Sequence, residues 1–309
     1  SGVDNLIGTS ANDLFKAPAN TLGNGDKVTD ASSTDNDVMN IAYDPASAAS
    51  GAKPIIKGVE VVNLSFDLIT GATFDATNVA GSTINLSSPR SAFAGEVKIT
   101  GAGKNNLIAK QGITSLEIED LTSGYVDLGE ANTLILKDNR KKETRTASGF
   151  DVRINGDTSI NSTFEGSGQA VMALSANKDS TVTLTGDSKY TQIQTAGPGK
   201  ITVVTDLNNL SAAPSIRGLT KLELLKAPGS SIDLTKVSKS AEMISAEDLT
   251  YTSVNGHAIT YTGSDTVTID AKATGLSTGN VHLTKPGAKV EIKADGNTLP
   301  VDLWAEEVA

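Results

Sequence analysis

The sequence predicts a mostly-β fold, a β-solenoid or parallel β-helix-like stack of short strands, with one or two short helices. Three observations predict it. From residue 55 onward, segments of four to six residues alternate apolar with polar side chains and are parted by Gly, Asn, Asp and Ser, the period of a half-buried strand. Aromatics make up only 4% of the 309 residues, so the core must be built from Val, Ile, Leu and Ala in narrow layers. A frame G-h-[ET]-x-h-[NE]-h, with h apolar, opens at Gly58, Gly112 and Gly218 and is echoed weakly at Gly168. Its spacing is close to multiples of about 53 residues, as in solenoids of multi-rung units.

Taken in order, residues 1–54 form a turn-rich leading segment that caps the stack, parted from the array by Ala42 to Pro54. Residues 55–309 form the β array. Its predicted strands include Val59–Leu64, Ser82–Leu86, Glu96–Thr100, Leu116–Ile118, Asn132–Leu136 and Asp151–Ile154. Further on come Thr181–Thr185, Lys200–Val204, Ser231–Leu234, Thr266–Asp270 and Lys289–Lys293. Alternation places one face of each strand in a core and the other in water. A soft break is expected near 206–214. Lys236 to Asp248 carries Val237, Ala241, Met243 and Ile244 on one helical face and is read as a helix. A second short helix is expected at Leu303–Glu307, where Trp304, the sole tryptophan, caps the last layer or meets a neighbouring domain. The charge run Asp138 to Arg145 reads as an exposed loop. As a basic patch it also suits lipopolysaccharide or another cell-surface glycan.

Composition narrows the function. The formal charge is −10 and the pI about 4.8, which repels phosphate backbones and argues against nucleic acid. Cysteine is absent, so disulfides, thiolate zinc sites and a cysteine nucleophile are excluded together. His257 and His282 fall in separate segments, His257 in a hairpin turn and His282 on a strand face. No apolar run is long enough to span a bilayer as a helix. The chain begins at Ser1 with no leader pattern, and reads as a piece of a longer or processed polypeptide whose export signal lies elsewhere.

The densest chemistry lies between Gly8 and Ile41. Asp26, Asp30, Asp35 and Asp37 supply four carboxylates within twelve residues, a density that a cation or solvent must screen. These four are the candidate calcium ligands, with Asp13 and Asn12 as contributors from the preceding rung; a solvated acidic turn with Asx caps is the alternative. Gly8-Thr9-Ser10-Ala11-Asn12-Asp13-Leu14-Phe15 follows G-T-x-x-x-D-x-F, and Asp35-Asn36-Asp37-Val38-Met39-Asn40-Ile41 follows D-x-D-x-h-x-h. This resembles the repeat language of secreted calcium-binding β-roll (RTX-type) chains, as worn in surface-layer (S-layer) proteins of Gram-negative bacteria. On the family's glycine-rich frame Asp37 keeps the ligand position, while Ser32, Ser33 and Asp35 stand where glycines belong. The resemblance implies type I export, an extracellular location and calcium-dependent self-assembly with copies of itself into a lattice.

Catalysis has little support. Glu117, Glu119, Asp120 and Asp127 are near one another, as in carbohydrate-active β-helices, but no basic residue pairs with them at a telling spacing. Glu117 and Glu119 share a strand face and are expected to point to solvent. Gly101-Ala102-Gly103-Lys104 is too short for a phosphate loop. The chain is therefore read as no enzyme but a structural building block, with a surface adhesin or binding module as the alternative and a polysaccharide-active enzyme behind it.

Overall fold

The fold is a β-solenoid, seen in a computed structural model that describes residues 2–32, 34–43, 52–66, 71–89, 96–139, 148–164, 169–186, 188–206, 210–224, 230–234, 237–238, 241–245, 249–252, 257–264, 266–271, 281–294 and 297–299. Every described strand pairs in parallel except the last, Asn297–Leu299, which turns back antiparallel along Lys289–Ala294. The chain divides into two compact units, residues 1–166 and 167–309.

In the first unit each coil lays short strands on up to three faces. One sheet runs Asn5–Ile7, Lys27–Thr29, Ile55–Lys57, Val79–Ala80. A second carries Leu14–Ala17, Val38–Tyr43, Val61–Phe66, Thr83–Ser87, Asn106–Ala109, Tyr125–Asp127 and Ser148–Ile154. The third carries Ala72–Asp75, Glu96–Thr100, Ser115–Glu119, Thr133–Asp138 and Thr158–Phe164. The registers stack like on like: Leu14, Val38, Val61 and Thr83 follow one another directly. In the second unit the same style continues, with Ile201–Thr205, Lys221–Leu224, Glu242–Ser245 and Ile259–Tyr261 successive in one sheet.

The core is the row of inward residues that alternation selects. Val62, Leu64, Phe66, Ile84, Leu86, Val97, Ile99, Leu107, Leu116 and Ile118 are fully buried. Each contributes about 1.5–3 kcal/mol of burial. The few rings cluster: Tyr43 meets Phe66 and Phe74 edge-on, each 5.7 Å between ring centres. Its hydroxyl donates to Thr73 O at 2.5 Å.

The expected strands lie where alternation put them, Glu96–Thr100 with the same bounds. Two expectations are corrected. The described residues within 236–248 are not helical: Val237 bridges Ile216, and Glu242–Ser245 is a strand paired with Lys221–Leu224. Met243 and Ser245 are buried while Ile244 faces outward, so strand pairing overrides the short helical pattern. The repeat of about 53 residues is not the structural unit. The strand after Gly58 lies in the second sheet and that after Gly112 in the third, while one coil takes only about 20 residues. What the frame marks is a corner. Gly58, Gly112 and Gly218 all have positive φ (71°, 82°, 79°), and Val59, Ile113 and Leu219 behind them are buried. Gly168, Trp304, the Leu303–Glu307 segment and nearly all of the Asp138–Arg145 run lie outside the described residues. Asp138 itself is buried at a strand end. The stretch 206–214 leads into the strand Leu210–Arg217, which pairs with Lys189–Ala196 through a register shift.

Corner glycines differ in what surrounds them. Gly81 (φ +74°) has open space where a Cβ would stand, whereas at Gly129 (φ +52°) a Cβ would overlap Ala109 O of the adjacent coil. An alanine at either position costs about 1–2 kcal/mol for the left-handed backbone. Gly129→Ala is expected to lose about 1–3 kcal/mol more, from overpacking. Chemical denaturation checks this, and equal losses would rule out close coil approach as the reason for Gly129.

Candidate metal centre

The residue that precedes each of the first five strands of the second sheet forms a ladder through the stack: Asp13, Asp37, Glu60, Ser82 and Asn105. Their carbonyls are used by the sheet, since Val38, Val61, Thr83 and Asn106 N–H donate to Asp13, Asp37, Glu60 and Ser82 O at 2.8–3.1 Å. Their amides look for side chains. Asp13 N–H donates to Asp37 Oδ1 (2.8 Å), Asp37 N–H to Glu60 Oε2 (2.8 Å), and Ser82 N–H to Asn105 Oδ1 (2.9 Å). In these three the amide is capped by the side chain one coil further on, whereas Asn105 N–H donates to Ala102 O at 3.2 Å.

The two halves of this ladder differ in chemistry. In the neutral half, Ser82 Oγ donates to Val59 O (2.7 Å) and Asn105 Nδ2 to Val79 O and Ala102 O (both 2.9 Å). Both side chains are buried and supply the protons their surroundings need. The acidic half has no protons to give. Asp30 Oδ2, both Asp35 oxygens and Asp37 Oδ2 are buried with no hydrogen-bond partner. Asp37 is 0% exposed. Buried charge without a partner is costly, and a cation is the usual remedy.

The corner brings the acids into two groups. Asp13, Asp30 and Asp37 present oxygens within 4.8 Å of one another, as do Asp35, Asp37 and Glu60. Of the four residues singled out by density, Asp30, Asp35 and Asp37 are thus together. Asp26 belongs to neither group, and its oxygens accept Asp4 N–H (2.9 Å) and Gly23 N–H (2.6 Å). Glu60 fills the third position of the frame that opens at Gly58, and nothing in that frame marks it as a ligand. The signal that finds it is coil register, since it stands before Val61 as Asp37 stands before Val38.

The leading motif has a local purpose. Thr9 N–H and Thr9 Oγ1 both donate to Asp13 Oδ2, at 2.5 and 3.0 Å. A Cβ on Gly8 would overlap Asp30 Oδ2 and stand 2.9 Å from Asp13 Oδ2, so glycine is what lets the two acids approach. Ser32 N–H holds Asp30 Oδ1 at 2.8 Å in an Asx turn, and Asn36 N–H reaches Asn12 Oδ1 at 3.0 Å.

Elsewhere the carboxylates find protein partners. Glu117 is flanked by Lys98 and Lys137 Nζ, both at 2.8 Å, and Lys98 also reaches Glu119 at 2.6 Å. This corrects the expectation that these acids face solvent unpaired, for their lysines come from the coils on either side. Burial alone would raise the Glu117 carboxyl, but hydrogen bonds and charge from Lys137 and Lys98 outweigh it and hold the group low. Asp120 Oδ1 caps Asn139 N–H and Asp127 Oδ1 caps Gly129 N–H. Gly101 and Gly103 form a corner with positive φ. His257 is buried, with Nε2 3.1 Å from Val237 O, rather than in an open turn, and His282 is exposed on Val281–Leu283.

No family model, curated protein or solved structure matches this chain. Among the described residues no helix is long and apolar enough to cross a membrane.

Burial raises the Asp37 carboxyl above its ordinary value; the Asp13 N–H works against this, and the charges of Asp30, Asp35 and Glu60 add to it. A carboxyl raised by folding stabilises below its unfolded value and loses that contribution as pH rises through the folded one. In chelator-treated protein the melting temperature is therefore expected to gain a downward component as pH increases from about 4. Asp37→Asn removes that component and raises the midpoint at neutral pH. Parallel pH profiles for the two proteins would expose an error as identical slopes.

Proposed function

We propose that the chain is a structural building block of a bacterial surface layer, an extracellular solenoid whose leading coils are locked by Ca²⁺ and which self-associates with further copies. The carrying observation is the acidic corner, where acids from three consecutive coils converge and four buried carboxylate oxygens of Asp30, Asp35 and Asp37 lack partners. An all-oxygen, carboxylate-rich, loop-built corner suits Ca²⁺, which takes six to eight oxygens in flexible geometry. Mg²⁺ demands a stricter octahedron and keeps its waters. Calcium outside cells is abundant, so such a corner makes the joining of these coils conditional on an extracellular environment.

Two further features favour a scaffold over a catalyst. The acids that a carbohydrate-active reading would use, Glu117 and Glu119, are tied up by Lys98 and Lys137. The first described coil carries exposed Leu6, Ile7 and Leu14 on strands, with exposed Val3 just before them, a surface that invites another β layer. Lattice contacts with copies of itself, and with lipopolysaccharide or another surface glycan, are the partners this reading names.

Adding Ca²⁺ to the protein is expected to drive assembly into large particles in light scattering, with a chelator reversing it and Asp37→Asn abolishing the response. A monodisperse protein that binds one surface ligand regardless of Ca²⁺ would favour the adhesin reading. Turnover of an acidic polysaccharide, lost on Glu117→Gln, would favour an enzyme.

A further inference from the structure

Resting on the cation reading above, we infer that the corner takes two divalent cations bridged by Asp37, one held by Asp13, Asp30 and Asp37 and the other by Asp35, Asp37 and Glu60. The two groups have only Asp37 in common. The unpartnered oxygens belong to residues of both groups: Asp30 Oδ2 to a member of the first, the two Asp35 oxygens to a member of the second, and Asp37 Oδ2 to the residue they share. A single ion in the first group would leave both Asp35 oxygens buried and bare. One in the second group would leave Asp30 Oδ2 so. Two ions satisfy all four.

Charge points the same way. Five carboxylates converge, and one divalent ion would leave three negative charges around a fully buried Asp37. Two ions leave one. Asp37 is equipped to bridge, because an ionised carboxylate offers about four lone-pair directions. Only one of these is taken here, by Asp13 N–H at Oδ1. The chain order gives the pair a mechanical meaning. Asp13 lies in the first coil, Asp30, Asp35 and Asp37 in the second, and Glu60 in the third. The first ion therefore ties coil one to coil two, and the second ties coil two to coil three.

The test is Ca²⁺ stoichiometry of the full chain by native mass spectrometry, with far-UV circular dichroism confirming folding. Wild type is expected to hold two ions at this corner. Asp35→Asn and Asp30→Asn should each lose one, and Asp37→Asn both. Neither of the first two changes removes a structural bond. Asp35 accepts no hydrogen bond through either oxygen, and the amide oxygen left by Asp30→Asn can still accept from Ser32 N–H. Should either variant misfold, Glu60→Gln replaces Asp35→Asn and Asp13→Asn replaces Asp30→Asn. Loss of one ion in total, shared by Asp30→Asn and Asp35→Asn alike, would overturn the two-ion inference while leaving the cation reading intact. A count unchanged by all three variants would overturn both.

Discussion

Parallel, in-register stacking constrains every side chain in this fold. Each residue has its counterpart from the next coil about 5 Å above and below it. Whatever chemistry a position carries is repeated or must be complemented there. For apolar residues repetition is favourable, and the buried columns of Val, Leu and Ile are the result. For charges it is not, because two like charges 4 Å apart repel by about 4 kcal/mol at an effective dielectric constant near 20. The outward and corner positions read as successive answers to that problem.

Three answers are visible. On the second sheet, Asn40, Asn63 and Asn85 stack in register, with Asn63 Nδ2 donating to Asn40 Oδ1 and Asn85 Nδ2 to Asn63 Oδ1, both at 2.8 Å. An amide carries both donor and acceptor, so it can repeat without penalty. On the third sheet the sign alternates, with Lys98, Glu117 and Lys137 bonded from coil to coil. At the corner neither device is used. Asp13, Asp37 and Glu60 follow one another with the same sign, and the neighbouring Asp30 and Asp35 deepen the charge instead of cancelling it. The same backbone geometry two coils on is completed by Ser82 and Asn105 without external help. The contrast isolates the acids as the element that needs something from outside the chain.

Much of the fold was legible because alternation is a local property, and stacking preserves it: Glu96–Thr100 and Thr133–Asp138 read the same in isolation as in the sheet. The site was legible only in part, because contact here follows coil register and not distance along the chain. Asp26 and Asp30 are four residues apart, but they sit at opposite ends of the strand Lys27–Thr29, and an extended chain rises about 3.3 Å per residue. Glu60 is far from Asp37 in sequence and meets it directly. Lys98 and Lys137 escaped notice for the same reason, since a spacing becomes telling only once the coil length is known. The helix expected over 236–248 failed differently. Its apolar residues fit either period, and pairing with Lys221–Leu224 decided between them.

The acidic corner's position in the stack also follows from nearest-neighbour energetics. In a solenoid, stability is approximately a sum over adjacent coils, so a tie from one coil to the next adds directly to it. The coil that carries Asn5–Ile7 and Leu14–Ala17 is thinly packed, with Val3 66% and Ile7 71% exposed. Its strand Asn5–Ile7 buries none of its three residues. The loops that lead to the second sheet are long there, spanning 8–13 and 30–37, and short in the following coils, at 58–60 and 81–82. Long loops have room for several ligating side chains; tight corners have room for a single side chain that caps an amide, as Glu60 and Asn105 do. Four of the five acids thus lie where the chain has length to present them, and an ion bound there adds a tie between coils whose side chains are thinly packed.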